Sequence, residues 1–187
     1  MTKITEAALR EAALAHLARF ATTEAGLRRV LANRIRRWAR AAAQEGQDPD
    51  AIGIATTAAL AQSVMIAARM VQVGAVDDAV FATARARRLR SSGRSARATL
   101  AHLSAKGVAS ETARAALGHE DMPGEFTAAL ILCRKRRFGP FAAAMPEPAL
   151  RQKWLASLAR AGFSGEVARR ALATPRVEAE QCLAEAR

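Results

Sequence analysis

Apolar side chains recur every three to four residues along most of the chain, which is the spacing of amphipathic helices. Leu27 and Leu31 lie four positions apart, and Leu150, Trp154 and Leu158 follow the same rule near the other end. No stretch shows the strict alternation of apolar and polar residues that a half-buried strand needs. The pattern therefore predicts an all-α protein.

Internal repetition organises these helices. Residues 100–117 align with residues 155–172, and residues 82–93 align with residues 128–139. The second copy carries a longer, proline-bearing loop at 140–148. Repeats of this size bury their apolar faces on their neighbours, as in helical solenoids.

Each copy is predicted to contain three helices, and the N-terminal region is a looser third copy. The expected fold is nine helices in three tandem three-helix repeats, forming a short, curved, elongated solenoid. The predicted segments are an N-terminal repeat at 1–74, a central repeat at 75–120, a C-terminal repeat at 121–174 and a C-terminal tail at 175–187.

Local signals set the helix ends. Asp77 and Asp78 are suited to cap the first helix of the central repeat, and Thr22 or Thr23 to cap the second helix of the N-terminal repeat. Gly107 occupies the place of a left-handed residue at a helix end. The third helix of the first repeat starts somewhere in 50–57. Its predicted core face consists of Leu60, Val64, Ala67 and Val71.

Composition adds a charge argument to this picture. The chain has 29 basic and 17 acidic residues, a net charge of +12, so an anionic partner is expected: nucleic acid, a membrane surface or an acidic protein. Two cysteines are too few for a disulfide scaffold. The sequence lacks an apolar stretch long enough for a signal peptide or a membrane span, so a soluble, cytoplasmic protein is expected.

The basic residues are clustered. No acidic residue occurs from 79 to 110, and a second basic run follows at the matching place in the next repeat. A third cluster lies between Arg28 and Arg40. Such clusters either form a surface for an extended anion or serve as a solvated face that keeps an alanine-rich protein soluble. The candidate binding residues are Arg85, Arg87, Arg88, Arg90, Arg94, Arg97, Arg134, Lys135, Arg136 and Arg137.

Other reactive residue types do not combine into a site. His16, His102 and His119 lack a metal-ligand spacing, and Asp77 with Asp78 is explained by helix capping. We therefore predict no catalytic residue, no metal and no cofactor. Cys133 follows apolar residues and precedes RKRR, a setting in which positive charge favours the thiolate. Because no set of Cys, His and Asn accompanies it, we expect an ordinary, partly buried cysteine. Among the aromatic residues we expect Trp38, Trp154, Phe81 and Phe163 in the core. Phe138 and Phe141 flank Gly139-Pro140 beside the basic run and are candidates for a partner contact.

The ordered set of repeats resembles a known family. The segment GAVDDAVFATARARRLRSSGRSARATLAHLSAKGVASETARAAL (74–117) resembles the central repeat of the RecX family, regulators of the RecA recombinase. ALAHLARFATTEAGLRRVL (13–31) is similar to its N-terminal repeat. RKRRFGPF (134–141) and LASLARAGFS (155–164) are similar to its C-terminal repeat.

The resemblance implies a function that composition alone does not. Members of this family bind RecA polymerised on single-stranded DNA, lodge along the filament groove, and restrain ATP hydrolysis, strand exchange and the co-protease activity. They are not enzymes. We accordingly expect a monomer that binds the RecA filament, binds DNA weakly without sequence preference, and does not bind membranes. Whether inhibition acts by capping, by bridging subunits or by occluding the groove is left open.

Two other functions remain compatible with the sequence. A helix-turn-helix transcription factor would require sequence preference on duplex DNA. A structural α-repeat adaptor for an acidic protein would show little salt-dependent affinity for single-stranded DNA. The RecX-like function further predicts that Arg88, Arg90 and Arg94 are exposed, so that replacing all three by Glu abolishes filament binding and spares the fold.

Overall fold

The computed structural model describes residues 4–144 and 146–185, and most of them are helical. No strand occurs among these residues, so the all-α prediction is confirmed. The solenoid shape and the repeat boundaries stay predictions. The helices are α1 (Glu6–Leu17), α2 (Glu24–Gln44), α3 (Pro49–Gln72), α4 (Asp78–Arg90), α5 (Ala96–Ala105), α6 (Ser110–Leu117), α7 (Glu125–Arg136), α8 (Pro148–Arg160), α9 (Gly165–Ala173) and α10 (Arg176–Glu185), with a 3-10 turn at Gly139–Phe141 between α7 and α8.

The predicted helix caps are present. Thr23 caps α2 by accepting a 2.9 Å hydrogen bond from the Gly26 amide. Asp77 caps α4 by accepting from the amides of Ala79 and Val80 at 2.8 and 2.9 Å. These bonds satisfy amides that a helix leaves unpaired at its N-terminus.

Helix α10 was not predicted, because its residues were assigned to a C-terminal tail. It buries only Ala179 and Leu183, so its apolar face is too narrow to stand out in the sequence. Its first turn is linked by a 2.8 Å ion pair from Arg176 to Glu180, one helical turn apart. The described part of the chain therefore has one α-helix more than the nine expected.

The predicted core face of α3 is wrong by about one position. The buried residues are Ala59, Ser63, Ile66, Ala67 and Met70. Of the predicted face only Ala67 is buried, whereas Leu60, Val64 and Val71 are exposed. The helix is apolar on more than one side, so periodicity alone did not identify the side that packs.

Helix α3 is also long and apolar enough to cross a membrane by length and composition, with a mean hydropathy of 1.7 over its most apolar window. The apolar pattern of the sequence does not predict such a segment. Ile66, Ala67 and Met70 of this helix belong to a hydrophobic core shared with α1 and α2. A core helix of a soluble protein meets the same length and composition test, so this feature is weak support for a span.

The described residues form two compact units, each with its own core. The first extends to Phe81 and includes Lys106–Val108. It is centred on Leu9, Leu27, Leu31 and Ile35, all fully buried. The predicted packing of Leu27 and Leu31 is therefore confirmed.

The second unit contains Ala82–Ala105 and the chain from Ala109 onward. Its core is built mainly from small residues and is anchored by Leu130, Leu158 and Phe163. Small side chains let helices approach closely, because interaxial distance depends on the residues at the contact.

A hydrogen-bonded junction fastens α2 to the segment after α5 within the first unit. The Thr23 hydroxyl donates to the Lys106 carbonyl at 2.6 Å, while the same oxygen caps α2. Asp78 accepts a 2.9 Å bond from the Glu24 amide, the first of α2. Gly107 has φ +88°, and a Cβ there would lie 2.3 Å from the Ala25 Cβ. Only glycine combines a positive φ without strain and the absence of a Cβ, and both are needed at this position.

The same junction occurs in the second unit. The Ser95 hydroxyl donates to the Ala161 carbonyl at 2.7 Å and accepts from the Ala98 amide at 3.1 Å. Glu125 accepts a 2.9 Å bond from the Ala96 amide, as Asp78 does from Glu24. Gly162 matches Gly107 with φ +95°, and its Cβ would lie 2.4 Å from the Ser95 Oγ. The sequence repetition therefore has a hydrogen-bonded counterpart.

Candidate filament and nucleic-acid surface

The basic residues of α4 and the turn after it have different surroundings. Arg85 is half-buried and donates from Nε to the His102 Nε2 at 2.9 Å. Arg87 is exposed and forms a 2.8 Å ion pair with Asp121. Both side chains already have partners, so a bound anion would have to compete with these contacts.

Arg90 contradicts the expectation that it is exposed, since its side chain is only 3% accessible. Its guanidinium donates to Glu125 at 2.5 Å and to the Arg94 carbonyl at 2.8 Å. It also donates twice to the Pro123 carbonyl, at 2.9 and 3.1 Å. A buried charge needs such compensation. The acid-free stretch concealed this, because Glu125 lies outside it.

Three arginines of this run are exposed, which a surface for an anion requires, and their role in binding stays a prediction. Their guanidinium groups are exposed and have no ion-pair or hydrogen-bond partner within residues 4–144 and 146–185. They are Arg88, Arg94 and Arg97. Unpaired guanidinium groups bind a phosphate or carboxylate without first breaking an internal contact.

The second run divides in the same way. Lys135 donates to the Ser92 carbonyl at 2.7 Å, and Arg136 donates to the Ser157 hydroxyl at 2.6 Å. Arg134 and Arg137 are exposed and lack a side-chain partner in the described chain. Arg136 aligns with Arg90, yet one side chain is exposed and the other is buried, so equivalent positions do not share one role.

Arg137 has an unusual backbone. It ends α7 in the left-handed region, with φ 56° and ψ 45°, and it is the one non-glycine residue of the described chain with positive φ. A side chain in this conformation costs about 1–2 kcal/mol relative to the right-handed one. The left-handed backbone conformation sets the direction in which the Arg137 side chain extends from the end of α7.

Arg134 and Arg137 line one pocket together with a third arginine. The cavity has a volume of about 490 Å³, and Phe141 and Leu183 form an apolar part of its wall. Arg176 is the third guanidinium, paired with Glu180 at 2.8 Å. Three guanidinium groups beside an aromatic ring suit a phosphate with an attached base or sugar. Sequence reasoning missed Arg176 because it missed α10.

The two aromatic candidates belong to the core of the second unit. Phe138 stacks on Trp154 with ring centroids 5.4 Å apart. Phe141 is half-buried and packs against the same cluster. Trp154 and Phe163 are buried as predicted, whereas Trp38 and Phe81 are half-buried.

Cys133 is an ordinary buried cysteine, buried more completely than expected, and its thiolate is disfavoured rather than favoured. It is completely buried, and burial raises the pKa of its thiol to about 12. Desolvation outweighs the neighbouring arginines, because their guanidinium groups are at the surface and screened by water. In the described ranges no group of three or more His, Cys, Asp or Glu residues is arranged to hold a metal ion.

The third basic cluster lies on one unit. Arg36, Arg37 and Arg40 line a shallow pocket of about 490 Å³ on α2. Arg36 donates to the Asn33 side chain at 2.7 Å. Arg29 instead donates to the Lys106 carbonyl at 3.2 Å, which makes it part of the junction.

Comparison with known proteins places these features in a family. Residues 77–117, which contain α4, α5 and α6, match the model of the second three-helix domain of RecX. The regulatory protein RecX of Agrobacterium fabrum is 38% identical over 114 residues, 61% of this chain and 60% of that protein. The regulatory protein RecX of Myxococcus xanthus is 34% identical over 175 residues, 91% of this chain and 87% of that protein. No solved structure matches the chain significantly.

The match to the Agrobacterium protein thus spans less than two thirds of that relative, whereas the match to the Myxococcus protein spans nearly all of both chains. Identity of this degree over most of two chains goes together with a shared fold and ancestry. The chain belongs to the RecX family of regulatory proteins.

Proposed function

We propose that this chain binds the RecA filament on single-stranded DNA and restrains its ATP hydrolysis, strand exchange and co-protease activity, in recombination, DNA repair and the SOS response. Family membership over 91% of the chain is the observation that carries the proposal. The protein acts by binding rather than by catalysis, and the partner gives it a cytoplasmic location.

The exposed, unpaired arginines support this function. Arg88, Arg94 and Arg97 in the central segment and Arg134 and Arg137 in the next are free to contact phosphates or acidic side chains of a filament. Each phosphate that a guanidinium neutralises releases condensed counterions. Binding to single-stranded DNA is therefore weak, independent of sequence and steeply dependent on salt.

The test is a triple charge reversal chosen from the structure. Arg88→Glu, Arg94→Glu and Arg97→Glu together leave buried Arg90 in place, so the fold is retained. We expect loss of inhibition of RecA ATP hydrolysis on single-stranded DNA, because like charges repel. The matched control reverses Arg114, Arg151 and Arg160, which are exposed and give the same change in net charge.

Three outcomes would contradict the proposal. A folded triple variant that inhibits as well as the parent shows that these arginines only keep the chain soluble. Equal loss in the control shows that net charge, rather than this surface, sets the affinity. A strong preference for one duplex sequence would instead favour a helix-turn-helix transcription factor.

A further inference from the structure

Helix α3 has two apolar faces, and its neighbours cover only one of them. Ala59, Ser63, Ile66, Ala67 and Met70 are buried. The opposite face carries exposed side chains, of which Ile54 and Met65 are 73% and 72% accessible. Contiguous exposed apolar surface, rather than a single exposed side chain, marks an interaction site.

The residues of the exposed face follow the spacing of a helix–helix seam. Their intervals alternate between three and four positions, which is the heptad spacing of a coiled coil. All are exposed except the last, which is half-buried. They are Ala51, Ile54, Ala58, Ala61, Met65 and Ala68.

These six seam residues are arranged symmetrically along the helix. Ile54 and Met65 are equidistant from the midpoint between Ala59 and Leu60. The remaining seam positions are alanines, arranged symmetrically about the same midpoint. An antiparallel copy of the helix would therefore place Ile54 of each chain against Met65 of the other, and each seam alanine against an alanine.

The charges of α3 obey the same symmetry. Asp50 and Arg69 are its two ionisable residues, and they are equidistant from the same midpoint. An antiparallel pair brings each Asp50 to the Arg69 of the other helix, so that two opposite-charge contacts form. A parallel pair would place like charges together instead.

A groove beside the seam has room for the protruding side chain. The cavity between α1 and α3 has a volume of about 740 Å³, and Ala61, Met65 and Met70 contribute to its lining. In the antiparallel register, Ile54 of a second helix lies against Met65 at the edge of this groove. The apolar part of the lining matches the Ile54 side chain in character, whereas Glu6, Arg10, Gln62 and Arg69 form the polar part.

We propose that α3 is a self-association surface, on which a second copy of this chain pairs antiparallel about the midpoint between Ala59 and Leu60. The arrangement is isologous, so one two-fold axis satisfies both halves of the contact. It does not depend on the proposed function, and it replaces the expectation of a monomer.

Cysteine pairing tests the register directly. The starting chain carries Cys182→Ser, which leaves buried Cys133 as its cysteine. Ile54→Cys and Met65→Cys are then made in separate chains. We expect a disulfide-linked dimer when the two are mixed and oxidised, and little when either is oxidised alone. In the proposed register, two copies of residue 54 lie about 16 Å apart along the axis, at about 1.5 Å per residue. That distance is too great for a disulfide.

Charge variants provide a second, solution measurement. Sedimentation velocity of the parent is expected to show, with rising concentration, a species of twice the 19.9 kDa monomer mass. Arg69→Asp weakens the dimer because it faces Asp50, and adding Asp50→Arg restores it. Both substitutions are at exposed positions, and circular dichroism verifies the fold.

Three results would overturn the proposal. One is a parent that remains monomeric up to its solubility limit. Another is self-linking of Ile54→Cys as efficient as linking in the mixture, which indicates a parallel or random contact. The third is a chain that stays monomeric and co-sediments with phosphatidylcholine vesicles, with the co-sedimentation lost in Ile54→Glu. That result would show that the apolar face binds a lipid surface.

Discussion

The hydroxyl of Thr23 donates a 2.6 Å hydrogen bond to the backbone carbonyl of Lys106, a residue 83 positions away in sequence. The same oxygen accepts from the Gly26 amide at 2.9 Å. One side chain therefore caps α2 and binds it to the Lys106 segment of the same unit. Because Thr23 is 1% accessible, water does not replace either bond when the hydroxyl is removed.

We expect Thr23→Val to lower the free energy of unfolding by about 2 kcal/mol, since the α2 cap loses its acceptor and the Lys106 carbonyl loses one donor while it retains the 3.2 Å bond from Arg29. Denaturant unfolding measures the effect. Thr5→Val is the matched control, because Thr5 caps α1 through a 3.2 Å bond from the Ala8 amide and is solvent-exposed. The control should cost about 1 kcal/mol. Equal losses would show that the bond to Lys106 contributes nothing.

Arg90→Met should destabilise the fold by about 3 kcal/mol, because it removes four hydrogen bonds from part-buried acceptors and leaves the Glu125 carboxylate without its ion-pair partner. Arg88→Met, two positions earlier and exposed, should change stability by less than about 0.5 kcal/mol. Thermal unfolding of both variants distinguishes them. The interpretation of Arg90 as a structural residue fails if the two variants unfold alike.

Arg137→Gly should leave stability unchanged or raise it by up to about 1 kcal/mol, since glycine adopts the left-handed conformation without strain. It should weaken binding to a single-stranded oligonucleotide and reduce the slope of log K against log salt by about 0.7. Arg134→Gly is the control, which loses the same charge within α7. There we expect the same loss of binding and an added stability cost of about 1 kcal/mol. Unchanged binding in Arg137→Gly would exclude the pocket as a DNA contact.

Cys133 predicts a decline in stability at alkaline pH. The folded thiol has a pKa of about 12 and the unfolded thiol about 9.0, so the unfolded chain ionises first as pH rises. The native state then binds more protons, and the free energy of unfolding falls between these values, by at most about 1.4 kcal/mol per pH unit. Cys133→Ala should remove this component of the pH dependence, whereas Cys182→Ala should retain it. A pH profile that Cys133→Ala leaves unaltered would contradict the assignment.

Local signals predicted much of the fold. Thr23 and Asp77 have cap chemistry, and Gly107 marks a left-handed helix end, because these properties depend on a few adjacent residues. The packed side of α3 was missed, since an apolar helix is equally hydrophobic on several sides until its neighbours are known. Residue type alone could not distinguish these sides.

The candidate surface was less predictable for a similar reason. A count of charges along the chain treats Arg88 and Arg90 alike, yet Glu125 neutralises one of them from another helix. Arg176 joined the pocket only through α10, whose narrow apolar face gave a weak signal. The exposure of an arginine and its ion-pair partners depend on the tertiary structure. Only the exposed, unpaired arginines of the predicted basic run therefore remain candidates for binding.

The residues that flank α5 take part in the two copies of the junction. Ser95, before the helix, donates to the Ala161 carbonyl in the second unit, and Lys106, after it, accepts from Thr23 in the first. Each unit thus has its own hydroxyl–carbonyl bond, and the loss of one hydroxyl leaves the bond of the other unit in place.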